Sequence, residues 1–193
     1  MDIALHLTNP TTVRSEESLL IAACIRSERW AQQKLYELHY GKLMTTSMRY
    51  SNNKEDALDI LHEGFIKIFA NLKKYQADTS LLAWMRRVVV NSAIDYYRKE
   101  IRHKADDLEK AYTLHTDEAD AVSKCTEQEI LACIQQLPAS YRTVFNLFAV
   151  EGFSHKEIAD ATGISESTAR ANLAKARQRL QQLLAQKFPH LNQ

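Results

Sequence analysis

The sequence predicts an all-α protein of two helical domains joined by a flexible linker, with a helix-turn-helix in the C-terminal one. Three observations predict it. No strand-rich segment appears anywhere in the 193 residues. Only four glycines and three prolines are present, too few for the many tight turns of an all-β fold. Residues 103–124 lack a sustained apolar stripe and are acidic and polar, so they divide the chain into two dissimilar halves.

In chain order, residues 1–14, with Thr8-Asn9-Pro10-Thr11-Thr12, are expected to form a loose leader. Ser15-Glu16-Glu17 opens a helix to about Ser27, a second runs from about Glu28 to Tyr40, and a third covers Lys42 to Tyr50. Asn53 caps a long helix from Lys54 to about Lys74, whose early Glu55 and Asp56 suit the positive end of the helix dipole. Ala57, Leu61, Phe65, Ile68 and Leu72 build its apolar stripe. Gly64 weakens that helix by about 1 kcal/mol relative to Ala, which points to a close approach or to simple tolerance. Tyr75 to Thr79 reads as a loop, and Ser80 starts a helix reaching about Arg102. Beyond the linker, residues 125–188 form the second domain: Thr126 to Gln136, a break at Leu137-Pro138, Ser140 to Glu151, then two more helices. Pro138 sits where a helix start tolerates a missing N–H.

Those last two helices carry the strongest local signal. Ser154 and Glu157 make an S-x-x-E capping box, Ile158 and Ala161 face inward, and Gly163 supplies the left-handed residue that ends the first helix. Ser165 caps the second helix with Thr168 three residues on. Leu173, Ala176, Leu180, Leu183 and Leu184 follow helical spacing, while Arg170, Asn172, Lys175, Arg177 and Arg179 take the remaining faces. Two helices joined by a glycine turn, the second rich in cations, are the pattern of a helix-turn-helix DNA reader. Net charge is only +1, but residues 165–187 hold five Lys/Arg against one Glu, whereas residues 101–128 hold four against seven acids. Affinity for DNA rests on local phosphate neutralisation, so the basic helix outweighs the balanced total.

Other function classes fall away. Cys24, Cys125 and Cys133 form no C-x-x-C pair and read as thiols in a reducing cytosol, with no metal site expected. No apolar run approaches a membrane span and no basic-then-apolar signal opens the chain, so a cytoplasmic protein is expected. His62-Glu63 lacks the second His of a metalloprotease, and no G-x-S-x-G, Walker loop or Cys–His pairing is visible. Neither an enzyme nor a cofactor is expected.

Two segments of the first domain exceed generic bundle character. Asp56, Asp59 and Glu63 recur at three and four and share a helix face, suited to docking on a basic protein surface. From Leu81 to Lys99, Trp84, Tyr96 and Tyr97 interleave with Arg86, Arg87 and Arg98 behind a loop, a composition that can hold single-stranded DNA by stacking and phosphate contact.

From about Leu20 to Leu184 the chain resembles an extracytoplasmic-function sigma factor, the compact class of bacterial RNA polymerase sigma subunits. The resemblance rests on ordered motifs: Asp56-Ala57-Leu58-Asp59-Ile60 with Phe65, Trp84 through Asn91 with Asp95 and Arg98, Leu137 through Arg142, and Gly152 through Ala159. It implies that residues 15–102 are sigma region 2, residues 103–124 a linker threading the polymerase channels, and residues 125–188 region 4. It further implies that Asp56, Asp59, Ile60, Glu63 and Phe65 bind core RNA polymerase. Ser80, Trp84, Arg86, Arg87, Asn91 and Arg98 would open and read the −10 element. Ser165, Thr168, Arg170, Ala171, Asn172 and Lys175 would face the −35 element, with Arg177 on phosphates. The implied partners are core RNA polymerase, double-stranded and locally melted promoter DNA, and an anti-sigma factor. The chain departs from the family pattern at His62, where Gln is usual, at Gly64, where an apolar residue is common, and at Ala171-Asn172, where many members have Ser-Arg. The competing readings are a free-standing helix-turn-helix regulator, which would need no acidic docking helix and would dimerise on half-sites, and a sigma mimic that titrates an anti-sigma factor.

Overall fold

A computed structural model of the chain describes residues 10–76, 79–106 and 127–188. The first module comprises α1 (Pro10–Ile25), α2 (Arg29–Met48), α3 (Lys54–Asn71) and α4 (Leu81–Asp106), with a 3-10 turn, Leu72–Lys74, closing α3. The second comprises α5 (Glu127–Gln135), α6 (Ala139–Ala149), α7 (His155–Thr162) and α8 (Glu166–Lys187). No strand occurs among the described residues.

Three boundaries differ from expectation. The helix from Arg29 continues through Gly41 to Met48, where two helices were expected. Gly41 disfavours a helix by about 1 kcal/mol, but Leu35 and Leu43 are fully buried on either side of it, and tertiary burial outweighs that cost. The first helix starts at Pro10 rather than Ser15; proline at the first helical position loses an N–H that would have no helical partner. Residues 10–14 therefore belong to a helix, and the rest of the expected leader lies outside the described residues. Likewise α4 runs to Asp106, absorbing the first residues assigned to the linker. The remainder of the linker and Cys125 lie outside the described residues.

The core of the first module is built where the apolar stripes of α2, α3 and α4 meet. Leu35, Leu43, Ile60, Leu61, Ile68, Met85 and Val89 are all essentially inaccessible. Gly64 settles its own ambiguity: a Cβ there would meet Val89 Cγ2 at 2.8 Å, so it is the close approach of α3 and α4 that requires glycine. In the second module, Cys133, Ile134 and Leu137 pack with Ala176, Leu180 and Leu183 of α8. Val144, Leu147, Ile158, Ala169 and Leu173 instead join the larger cluster that includes the first module.

The modules meet through named polar contacts. Arg142 is 1% exposed. Its Nη1 donates to the carbonyls of Gln135 (2.9 Å) and Leu137 (3.1 Å) at the end of α5, and to Asn52 of the first module. A cation at those carbonyls also suits the negative end of the α5 dipole. Asn146 Nδ2 donates to the Arg49 carbonyl at 2.7 Å, and Gln135 Nε2 to the Met48 carbonyl at 3.1 Å. On the other side of the junction, Arg86 and Glu151 form an ion pair at 2.8 Å.

Candidate polymerase and nucleic-acid interfaces

In the helix-turn-helix the caps form as the sequence requires. The Glu157 N–H donates to Ser154 Oγ, and the Ser154 N–H returns a bond to Glu157 Oε2 at 2.8 Å. Those bonds, from the Ser154 backbone first and its hydroxyl second, hold the Glu157 carboxyl below its ordinary pKa. Gly163 ends α7 at φ 76°, the left-handed region where glycine carries no Cβ penalty. Ser165 Oγ accepts from the Thr168 N–H at 3.0 Å and starts α8. Phe148 of α6 then ties the unit together: His155 stacks on it at 4.9 Å and the Arg177 guanidinium lies 5.4 Å from its centroid.

Ala169, Leu173, Ala176 and Leu180 turn one side of α8 inward. Helical spacing then sorts the expected −35 residues onto two flanks. Thr168, Asn172 and Lys175 follow one flank; Arg170 and Arg177, seven apart, follow the other, with Ala171 between them. Ser165 stands at the helix entry. Arg170 is paired to Glu166 within the helix.

In the first module Trp84, Arg87, Asn91 and Arg98 recur at three, four and seven and share a stripe of α4, with Ser80 just before the helix in line with them. Ser80, Arg87 and Asn91 are exposed, and Trp84 is half-buried with Tyr75 tilted against it at 5.7 Å. Arg86, two residues from Trp84, leaves this stripe and points at Glu151 of the second module. Arg98 also reaches across, donating to the Asp160 carbonyl at 3.2 Å. A groove of about 690 Å³ runs between the modules, with Lys74, Trp84, Arg86 and Arg87 on one wall and Glu151 and Phe153 on the other.

On α3, Asp59 and Glu63 are exposed and Asp56 is half-exposed. Asn53 caps the helix through the Asp56 N–H at 2.8 Å and also donates to the Asp56 carboxylate at 3.0 Å. Burial, reinforced by a hydrogen bond to Asp56, raises the Tyr96 hydroxyl pKa. Glu63 lies 3.5 Å from Lys67, which is also paired with Asp95 at 2.8 Å. Burial alone would lower the Lys67 pKa; these acids, Asp95 foremost, raise it.

Two family models match the chain in order. Residues 35–103 match Sigma-70 region 2 and residues 127–180 match Sigma-70, region 4. The chain belongs to the extracytoplasmic-function sigma factors. It is 28% identical over 171 residues to the ECF RNA polymerase sigma factor SigM of Mycobacterium tuberculosis, covering 89% of this chain and 85% of the relative. It is 25% identical to the RNA polymerase sigma-H factor of Pseudomonas aeruginosa, covering 89% and 95%. Among solved structures, it is similar to the sigma factor RpoE, crystallised with the anti-sigma factor NepR from Bartonella quintana. That match has 24% identity and a TM-score of 0.49, covering 79% of this chain and 95% of the other. As a sigma factor the protein joins core RNA polymerase and directs promoter recognition and transcription initiation.

Against that function, the structure redistributes some expected residues of this sigma factor. Ile60 and Phe65 are 1% and 3% exposed, so their side chains lie in the core and not on the exposed acidic face. Phe65 packs on Tyr36 with centroids 4.6 Å apart. The apolar residue that does accompany Asp59 and Glu63 outward is Ile66, 64% exposed. It follows Phe65 by one residue, which turns it about 100° off the buried stripe, a signal available from spacing alone. On α8, Ser167, Ala174 and Gln178 complete the outward line with Ala171, all exposed. None of them is charged, so no cationic pattern marks them in the sequence.

Proposed function

We propose that the sigma activity is divided among three faces. Asp59 and Glu63, with Ile66 beside them and Asp56 at the rim, dock on a basic surface of core RNA polymerase. The α4 stripe of Ser80, Trp84, Arg87, Asn91 and Arg98, joined by Arg86, holds the melted −10 strand through stacking and phosphate contact. The outward side of α8 enters the major groove of the −35 element, with Ser165 and Thr168 at its entry, Arg170, Ala171, Asn172 and Lys175 toward base edges and Arg177 on the backbone. The single observation that carries this reading is the coexistence, on one fold, of an acidic exposed helix face and two separate cationic ones. A free-standing regulator has no use for the first.

Catalysis belongs to the polymerase, the site of action is the cytoplasm, and an anti-sigma factor is the regulatory partner the family adds. No helix among the described residues is long and apolar enough to cross a membrane. The test is reconstitution of the full chain with core polymerase, followed by sequencing of transcript starts on genomic DNA. The reading expects starts that share −10 and −35 sequences. Starts indistinguishable from those of core polymerase alone would overturn it.

A further inference from the structure

Two cations of the first module stand without a carboxylate, and both line one depression. A groove of about 400 Å³ is walled by Gly41 and Lys42 of α2, Arg49 at the end of that helix, Leu82 and Arg86 of α4, and Glu127 of α5. Its volume falls within the span of small-molecule sites, about 300–1,000 Å³. Among the described residues neither Lys42 nor Arg49 takes part in an ion pair. The Arg49 guanidinium has one acceptor, Thr46 Oγ1 at a long 3.4 Å, and its Nε–H has none. Arg86 gives one nitrogen to Glu151, while its Nε–H likewise lacks an acceptor. The threonine hydroxyls on the wall are already committed: Thr45 donates to the Gly41 carbonyl at 3.0 Å and Thr46 to the Lys42 carbonyl at 3.1 Å. The side-chain donors left over are therefore cations, and three of them outweigh the one acid, Glu127.

Gly41 adds an independent observation. It is exposed in the interior of a 20-residue helix, where glycine costs about 1 kcal/mol relative to alanine. A Cβ at Gly41 would meet no atom within 4 Å, in contrast to Gly64, so no contact inside the protein requires the missing side chain. A glycine in such a place leaves backbone open to close approach from outside, and this opening lies on the groove wall.

We infer that the groove is a binding site for a small molecule carrying linked phosphates, seated over Gly41 with its charge on Lys42 and Arg49. Those two cations are seven residues apart, on one flank of the helix and about 10 Å apart along its axis. A lone phosphate engages one of them fully, whereas linked phosphates reach both. The site is separate from the three faces above, except that Arg86 is common to it and to the −10 face. A DNA backbone offers the same phosphate chemistry, and the concave seat over a bare glycine is what favours a small ligand.

The test is isothermal titration calorimetry of the full chain with pyrophosphate at fixed ionic strength. One saturable site is expected, with orthophosphate binding more weakly. Lys42→Ala and Arg49→Ala should each weaken pyrophosphate binding by roughly tenfold or more, the scale of one hydrogen bond to a charged group. Lys34→Ala removes an exposed cation of the same helix outside the groove and should bind as the parent does. Gly41→Ala is the discriminating variant. It should raise the melting temperature, because it adds helix propensity without a clash, and still weaken pyrophosphate by roughly tenfold. Circular dichroism melts check that every variant is folded. No saturable binding, or equal affinity in the parent and Arg49→Ala, would overturn the site. An equal loss in Lys34→Ala would reduce the effect to general surface charge and overturn it as well. A more stable Gly41→Ala chain that binds normally would overturn the seat over Gly41. A short mixed-sequence DNA duplex that displaces pyrophosphate, and loses affinity in Lys42→Ala and Arg49→Ala, would assign the groove to DNA backbone and overturn the small ligand.

Discussion

At the scale of single residues, Gly64 shows how one missing carbon sets the spacing of two helices. An alanine there would gain about 1 kcal/mol of helix propensity. It would also push a methyl against Val89 Cγ2 at 2.8 Å, and a β-branched side chain in a helix has almost no rotamer to escape to. Overpacking of this kind costs about 1–3 kcal/mol, so Gly64→Ala is expected to be destabilising by up to about 2 kcal/mol in urea unfolding. In a Val89→Ala background the same change should turn neutral or stabilising; an unchanged penalty would show that the crossing is not what glycine serves. Asp59 poses a different question. Asp56 is built into the cap and touches Tyr96, so reversing its charge would disturb the fold. Asp59 is exposed and outside the cap, which makes Asp59→Arg the clean probe of polymerase docking. It should keep the parental melting temperature and lose co-purification with core polymerase, and retention of binding would remove the acidic face from the docking surface. On α8, Arg170 is held by Glu166 in the absence of DNA. Arg170→Ala is expected to weaken promoter binding by about 1–3 kcal/mol and to blunt −35 preference, as for loss of a base contact. A loss equal on every sequence would make it a phosphate contact instead.

At the scale of elements, the helix-turn-helix depends on its caps. Glu157 is held below its ordinary pKa by bonds that exist only in the folded state. Its contribution is therefore present above the ordinary carboxylate value near 4.5 and is lost as pH falls through its lower folded value. Ser154→Ala removes the reciprocal partner and is expected to cost about 1 kcal/mol at neutral pH. It should also flatten the acid side of the stability curve of the second module, measured by thermal melts across the carboxylate range; an unchanged slope would locate the acid sensitivity elsewhere. The capping box, Gly163, Ser165 and the Asn53 cap were all legible in the sequence, because each is a contact between residues three or four apart. The stripe of α3 was legible for the same reason. Gly41 reads as a break in the sequence but is not one, since whether a glycine interrupts a helix depends on burial of Leu35 and Leu43, which only the packed module decides. Phe65 belongs to the apolar stripe legible in the sequence, while its polymerase-binding role and that of Ile60 come only from the family resemblance; both side chains are buried, and adjacency to an acidic position is 100° of rotation on a helix.

At the scale of the whole molecule, what the sequence could not carry is how the modules sit together. The contacts that join them link residues 62 to 97 positions apart, and they are made by arginine, asparagine, glutamine and glutamate, whose side chains leave no periodic trace. Arg142 illustrates this: the sequence marks it only as the end of the Leu137–Arg142 motif, whereas the fold buries it among three acceptors from both modules. The consequence is thermodynamic. Val144, Leu147, Ile158, Ala169 and Leu173 of the second module are continuous with the core of the first, so separating the modules exposes part of a shared apolar cluster. The free protein is therefore expected to unfold in one transition, with calorimetric and van't Hoff enthalpies equal. Glu151→Gln with Asn146→Ala loosens the polar contacts between the modules without touching either module's own interior apolar packing, and should divide the melt into two transitions with a calorimetric enthalpy well above the van't Hoff value. Two resolved transitions in the parent chain would mean that the contacts between the modules are too weak to couple them. A single transition in the variant would mean that the shared apolar cluster, and not the polar contacts, couples the two modules.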